Sequence, residues 1–351
     1  MPRGGAHFSS EELVRVLSRY DIGIVHRVKP LTAGSRRAPK VLVTADKGVF
    51  LLKRRPRGRD DLQRVTFAHA VQQHLAGRSY PVPSLLTTTD EPTTALSLEN
   101  HIYEFFHFVT GSRYDGSLEA TREAGRQLAL FHKHVADVGG REEPSPLCFH
   151  DSALVRRHLK LIGGARATAG GRGPGSTRVP SPLVAVVQEL LLRYDKSSVR
   201  VNELRFGTWK RQLVHGDWHP GNLLFAGHKI VAVVDFDSIR RAPPATDLAN
   251  GMLQFSIVAE GADPSDWPAH FDRDRVLQFL AGYREVIRLS ERKRYGLVDL
   301  MIESMIAEAV LPVAATGSFG QHSGLDFLRM ILRKTKWLRR HRRDLREAML
   351  Q

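Results

Sequence analysis

Asp217, Asn222, Asp235 and Asp237 carry oxygens within one short stretch of this chain. An apolar approach ends in Val214-His215-Gly216-Asp217-Trp218-His219-Pro220-Gly221-Asn222. A strand pattern, Ile230-Val231-Ala232-Val233-Val234, then delivers Asp235-Phe236-Asp237. Moving a phosphoryl group to a hydroxyl requires a carboxylate free of metal, to orient the hydroxyl, and hard oxygen ligands that hold magnesium against a polyphosphate. Asp217 fits the first role. Asn222 and Asp235 fit the second, the Asn carbonyl adding an oxygen without another charge. The same residues also admit a turn with polar caps, or a histidine and carboxylate cluster for zinc or manganese, although zinc favours closed His-rich or Cys-rich sets.

His-x-Asp, an Asn five residues after the Asp, and Asp-Phe at a strand end follow the order of the catalytic and metal loops of protein kinases. Gly216 stands at the usual Arg, and Asp237 at the usual Gly. This variant, His-Gly-Asp-x-His-x-x-Asn followed by Val-Val-Asp-Phe-Asp, resembles the aminoglycoside phosphotransferase and choline kinase superfamily, the small-molecule relatives of protein kinases. The resemblance implies an α+β, two-lobed protein-kinase-like fold, with a small antiparallel-sheet N-lobe over residues 1–110 and a mainly helical C-lobe over 111–351. It implies transfer of the γ-phosphoryl of ATP or GTP, with Mg2+, to a hydroxyl of a small-molecule acceptor. Asp217 is then the catalytic base and Asn222 and Asp235 are the metal ligands. His215 and His219 brace the loop, and Asp237 helps to place metal or substrate.

The elements that must position these residues can be read on either side of them. Ser9-Ser10-Glu11-Glu12 is a capping signal ahead of an amphipathic helix. Apolar runs at 24–28, 41–44 and 49–53 read as antiparallel strands, with 45–48 as a hairpin turn. Between the first two lies the loop 30–40, which lacks Gly-x-Gly-x-x-Gly; the resemblance lays it over the phosphates, with Ser35 among the cofactor-binding residues. Lys53 ends the third strand, where the resemblance puts a phosphate-binding lysine; the bland alternative is a solvated run of Lys53, Arg54 and Arg55.

The helix at 60–75 departs from the kinase pattern, since no Glu occurs between Lys53 and Glu91 to pair with the lysine. Asp60, Asp61, His69, Gln72 and Gln73 are the available substitutes. The strand from His101 runs into a hinge, where the resemblance puts adenine on main-chain groups near Glu104, Phe105 and Phe106; an aromatic core strand is the alternative. Helical patterns follow at 118–135, 152–161, 182–194, 276–289, 297–313 and 325–350. His132 and His134 read as a helix-end pair and Asp247 as a cap at a helix start. The Gly-rich, cationic stretch 163–175 reads as a lid or a solvated insert.

At 351 residues the chain exceeds one ordinary core, and no apolar run approaches the ~20 residues of a membrane span. Cys148 is the only cysteine, which excludes an internal disulfide; with no hydrophobic segment behind the basic N-terminus, a cytoplasmic protein is expected. The net charge of +15 permits a nucleic-acid partner, or arginines spread over solvated faces. Rival readings are therefore a nucleotide-binding pseudokinase scaffold, motivated by the missing helix Glu, a protein Ser/Thr kinase, and a basic nucleic-acid-associated protein using the dense charge at 334–346.

Overall fold

The first helix, α1 (Ser10–Leu17), opens with the capping box that the sequence spells. Ser9 Oγ accepts from Glu12 N at 3.1 Å, and the Glu12 carboxylate accepts from Ser9 N at 3.4 Å. Next come β1 (Val25–Pro30), β2 (Lys40–Ala45), β3 (Gly48–Arg54), α2 (Leu62–Ala76), β4 (Ala95–Leu98) and β5 (His101–His107). Beyond them lie α3 (Leu118–His134), α4 (Ala153–Gly164), α5 (Pro182–Glu203), β6 (Gln212–Val214), β7 (Leu223–Ala226), β8 (Lys229–Val233) and β9 (Arg240–Ala242). The chain finishes with α6 (Pro244–Ser256), α7 (Arg273–Arg284), α8 (Glu291–Thr316), α9 (Gly324–Arg340) and α10 (Arg342–Leu350). The structure is a computed structural model and describes residues 7–31, 38–139, 148–164 and 182–351. Ser35 and the stretch 165–175 of the Gly-rich segment lie outside the described residues.

Two compact units result, Met1–Tyr114 with Gly221–Ile239, and Asp115–Pro220 with Arg240–Gln351. The segment carrying Asn222, Asp235 and Asp237 returns to the first unit. Hydrogen bonds explain the return: Phe225 and Ser112 exchange main-chain bonds of 2.8 and 3.0 Å, and Val233 N donates to Pro81 O at 2.8 Å.

In the first unit the five-stranded antiparallel sheet runs β1-β2-β3-β5-β4. Side chains alternate across it. Val43, Phe50, Leu52, Tyr103 and Phe105 form one face with Val16 of α1, the core of this unit. Glu12 ties the helix to that face, since its carboxylate pairs with Arg54 at 2.6 Å and accepts from Tyr103 Oη at 2.8 Å. Leu51, Lys53 and Arg55 alternate to the opposite face.

The second unit is mainly helical. Helices α3 and α7 meet backbone to backbone, because a Cβ on Gly125 would lie 2.0 Å from Phe279 O and one on Gly282 would lie 1.9 Å from Arg122 O. The single helix expected over 325–350 is two, α9 and α10, broken at His341. Among the described residues no helix is long and apolar enough to cross a membrane.

Candidate active site

Register decides which charges meet in the first unit. Lys40, Lys53 and Glu104 stand opposite one another across β2, β3 and β5, so all three share the face away from the apolar core. Lys53 Nζ lies 3.4 Å from Glu104 Oε2 and 3.7 Å from Asp237 Oδ2. Arg55, two residues on and therefore on the same face, pairs with both carboxylates, at 2.7 Å to Glu104 and 2.6 Å to Asp237. His69 of α2 completes the group, with Nε2 2.9 Å from Glu104 Oε1 and Nδ1 2.9 Å from Thr94 Oγ1. Burial alone would raise the Glu104 carboxyl, but Lys53, the His69 hydrogen bond and Arg55 hold it down at about 2. Burial would likewise lower the Lys53 ammonium, and Glu104 and Asp237 outweigh it and raise it.

The lysine partner missing from α2 is therefore a strand residue. Of the helix substitutes considered, His69 joins the cluster, touching Glu104 and not Lys53. The strand where main-chain adenine contacts are expected is part of the same sheet. Arg55 N donates to Ile102 O at 2.8 Å and Phe108 N donates to Val49 O at 2.9 Å, so even-numbered residues of β5 turn their main chain toward β3. Glu104 and Phe106 are registered there against Lys53 and Leu51, and their backbone groups are engaged in the sheet. The Glu104 side chain meets Lys53, Arg55 and His69, and Phe106 stands edge-on to His69 with ring centroids 6.3 Å apart.

One hairpin brings the two expected metal ligands together. Strands β7 and β8 pair with Leu223 opposite Val233 and reverse at Gly227, whose φ is 58°. Asn222 precedes the first strand and Asp235 follows the second, so both sit at the open end, where Val234 N donates to Asn222 O at 3.0 Å. Asp235 has φ 65°, a left-handed conformation that a non-glycine residue holds only under constraint from its surroundings. An amide oxygen and a carboxylate at one end of a hairpin suit a hard divalent cation. Among the described residues no three His, Cys, Asp or Glu side chains cluster to hold a metal, so the zinc-type alternative has no such set there.

Asp217 belongs to the second unit, on a loop fixed through its backbone. Asp247, in the first turn of α6 and 2% exposed, accepts from His215 N at 2.6 Å and Gly216 N at 2.9 Å. A carboxylate at a helix start is expected to cap its own helix; the amides Asp247 satisfies belong instead to the loop that carries Asp217. Asp247 also pairs with His132 Nε2 at 3.2 Å, while His132 Nδ1 lies 2.8 Å from Tyr283 Oη. His132 is thus a buried brace. Burial would raise the Asp247 carboxyl, but the His132 contact prevails and lowers it. Gly216 has φ 80°, which explains why glycine replaces the arginine of protein kinases here, and its carbonyl accepts from Arg240 at 3.1 Å. His215 is fully buried edge-on to Phe131 and Trp218. With its backbone neighbours held, the Asp217 side chain stays 45% exposed, its Oδ2 3.6 Å from His219 Nε2.

Sequence reasoning missed Glu308. This α8 residue accepts from Asn250 and Gln254 of α6, and Ser304 Oγ lies 3.4 Å from its Oε1. It keeps solvent access, yet the protein around it pushes its carboxyl up to about 7, against the Asn250 hydrogen bond and with the Asp217 charge adding to the rise. No spacing signal in α8 pointed to it.

An antiparallel sheet ahead of a mainly helical unit is the layout of kinase-like phosphotransferases, and solved structures agree. The fold is similar to an aminoglycoside phosphotransferase from Alicyclobacillus acidocaldarius, with TM-score 0.70 at 15% identity, covering 99% of this chain and 98% of that one. An amicoumacin kinase in complex with AMP-PNP, Ca2+ and Ami gives 0.63 at 15% identity over 97% and 94%. A microcompartment-associated aminopropanol kinase gives 0.67 at 16% identity over 94% and 97%. In sequence the chain is 23% identical over 295 residues to a homoserine kinase from Zymomonas mobilis, spanning 84% of this chain and 82% of that protein. Residues 27–292 match the APH phosphotransferase enzyme family, and the chain belongs to it. It is therefore a phosphotransferase.

Proposed function

We propose that this enzyme phosphorylates the hydroxyl of a small amino alcohol, with ATP as donor and Mg2+ as cofactor, and that Glu308 receives the acceptor's ammonium group. The observation that carries the acceptor class is a carboxylate with solvent access that feels the charge of Asp217 and is already met by two amide donors. A cation there relieves the repulsion between Glu308 and Asp217 and returns Glu308 to its charged form. Homoserine and aminopropanol, the compounds named for two of the relatives, both carry an amine and a hydroxyl.

Asp217 orients the acceptor hydroxyl and accepts its proton as the bond to phosphorus forms. Lys53 places a compact positive charge against the donor phosphates, held ready by Glu104 and Asp237. Asn222 and Asp235 would hold Mg2+, which when bound neutralises charge on the phosphate oxygens. Cytoplasmic residence belongs to the same proposal.

The acceptor class is tested by comparing an amino alcohol with its deaminated counterpart. Glu308→Gln is expected to raise KM for the amino alcohol by about tenfold or more while leaving the deaminated alcohol unchanged, the effect of losing one charge-assisted contact. For the parent enzyme, KM for the amino alcohol should rise as pH falls through about 7, where Glu308 takes up its proton. A Glu308→Gln enzyme with the same preference for the amine would remove Glu308 from the acceptor site.

A further inference from the structure

The dense charge at the end of the chain has no part in phosphoryl transfer, and the break between α9 and α10 gives it a shape. Around His341 the two helices and α8 border a half-open basin of about 640 Å³, lined by Arg339, Arg340, Arg342, Arg343, Arg346 and Tyr295. That volume lies within the range of small-ligand sites, whereas a straight solvated helical face is convex.

The wall is built and fixed. Arg346 is 8% exposed, lies 3.7 Å over the Tyr295 ring and pairs with the fully buried Asp299 at 2.6 Å. Arg342 reaches the same carboxylate at 3.5 Å and Arg200 reaches it at 3.6 Å. Arg294 donates to the carbonyls of Met349 and Leu350 at 3.0 and 2.8 Å, which pins the far end of α10. Three guanidinium groups thus share one buried carboxylate, and two of the three line the basin.

Asp344 and Glu347 also line it, but among the described residues their ion pairs are with Arg343, at 3.8 and 3.7 Å on an exposed surface where ion pairs count for little. Five arginines against those two acids leave the lining with a surplus of positive charge. Guanidinium forks match phosphate oxygens two by two, in a geometry that an ammonium cannot copy.

We propose that the basin at the α9–α10 break is a second anion site, separate from the residues assigned to the reaction, which takes a small ligand bearing a phosphate group. Arg340 and Arg343 reach out to the ligand, while Arg342 and Arg346 form the fixed floor.

Calorimetric titration of the full chain tests this, using pyrophosphate in one arm and glycerol phosphate in the other. The parent protein and Lys53→Ala should both show a binding event that the double variant Arg340→Gln/Arg343→Gln weakens by about tenfold or more, as loss of charge-assisted contacts requires. Both substituted arginines are exposed, so the fold does not depend on them. Tighter binding of pyrophosphate assigns the site to inorganic phosphates, and tighter binding of glycerol phosphate to phosphate esters; either supports the proposal. It is overturned if the double variant binds as the parent does, if the event vanishes with Lys53→Ala, if neither probe binds at millimolar concentration, or if only duplex RNA binds through these arginines.

Discussion

Replacing Glu104 by Gln puts the strand-borne lysine clamp to a quantitative test. The residue is 2% exposed and is met by Lys53 at 3.4 Å, Arg55 at 2.7 Å and His69 at 2.9 Å. Against an ordinary value of 4.5, these partners hold its carboxyl at about 2 despite burial. At about 1.4 kcal/mol for each tenfold in proton affinity, that difference corresponds to about 3 kcal/mol of stability. Because the folded value lies below the unfolded one, the contribution is complete above about pH 4.5 and is lost as pH falls toward about 2. Removing one partner from a buried ion cluster independently costs about 3–5 kcal/mol, in line with this figure. Urea unfolding at about pH 7 and about pH 3, read by hydrogen exchange in β3 and β5, follows the first unit by itself. Glu104→Gln should be less stable by about 3 kcal/mol near neutrality, with the gap narrowing in acid. Equal stability near neutrality, or a gap that acid leaves unchanged, would refute the reasoning.

Two further substitutions probe the first unit. Lys53→Ala should lower nucleotide affinity by about tenfold or more, measured by calorimetry, because a charge aimed at phosphate oxygens is lost; equal affinity would make Lys53, Arg54 and Arg55 a basic run without a ligand. Asp235→Asn should weaken magnesium-dependent nucleotide binding, since a carboxylate ligand becomes a neutral amide. A magnesium dependence that survives unchanged would take Asp235 out of the metal set.

Local patterns were legible in the sequence wherever one segment carried the whole signal. The capping box at Ser9 and Glu12, the alternation of β3 and the His215-Gly216-Asp217 loop all formed as their residues indicate. Long-range register was not legible. That Lys53 faces Glu104 depends on how β3 pairs with β5, and one step of slip would turn Glu104 to the apolar face, so a lone Glu in an aromatic strand read as hinge and not as clamp. Asp247 misled for a related reason, because its position at a helix start predicts a cap, and only packing of α6 beneath the loop redirects it to the amides of His215 and Gly216. Glu308 gave no local sign, since its character comes from Asn250 and Gln254 on another helix. The break at His341 was hidden by an unbroken helical pattern across it.

The central claim, phosphoryl transfer to an alcohol with Asp217 as base, is tested most directly by measuring acceptor-dependent ADP release by the parent enzyme and Asp217→Asn over a panel of amino alcohols. Asp217 touches no metal in this account, and its loop is held by Asp247 and Arg240 through the backbone. The account therefore predicts that Asp217→Asn binds ATP and magnesium as the parent does while kcat falls by about 10²–10⁴, the range for a general base. Unchanged turnover in Asp217→Asn, or loss of magnesium binding in place of turnover, would contradict it, as would a parent enzyme that binds ATP and releases no ADP with any acceptor.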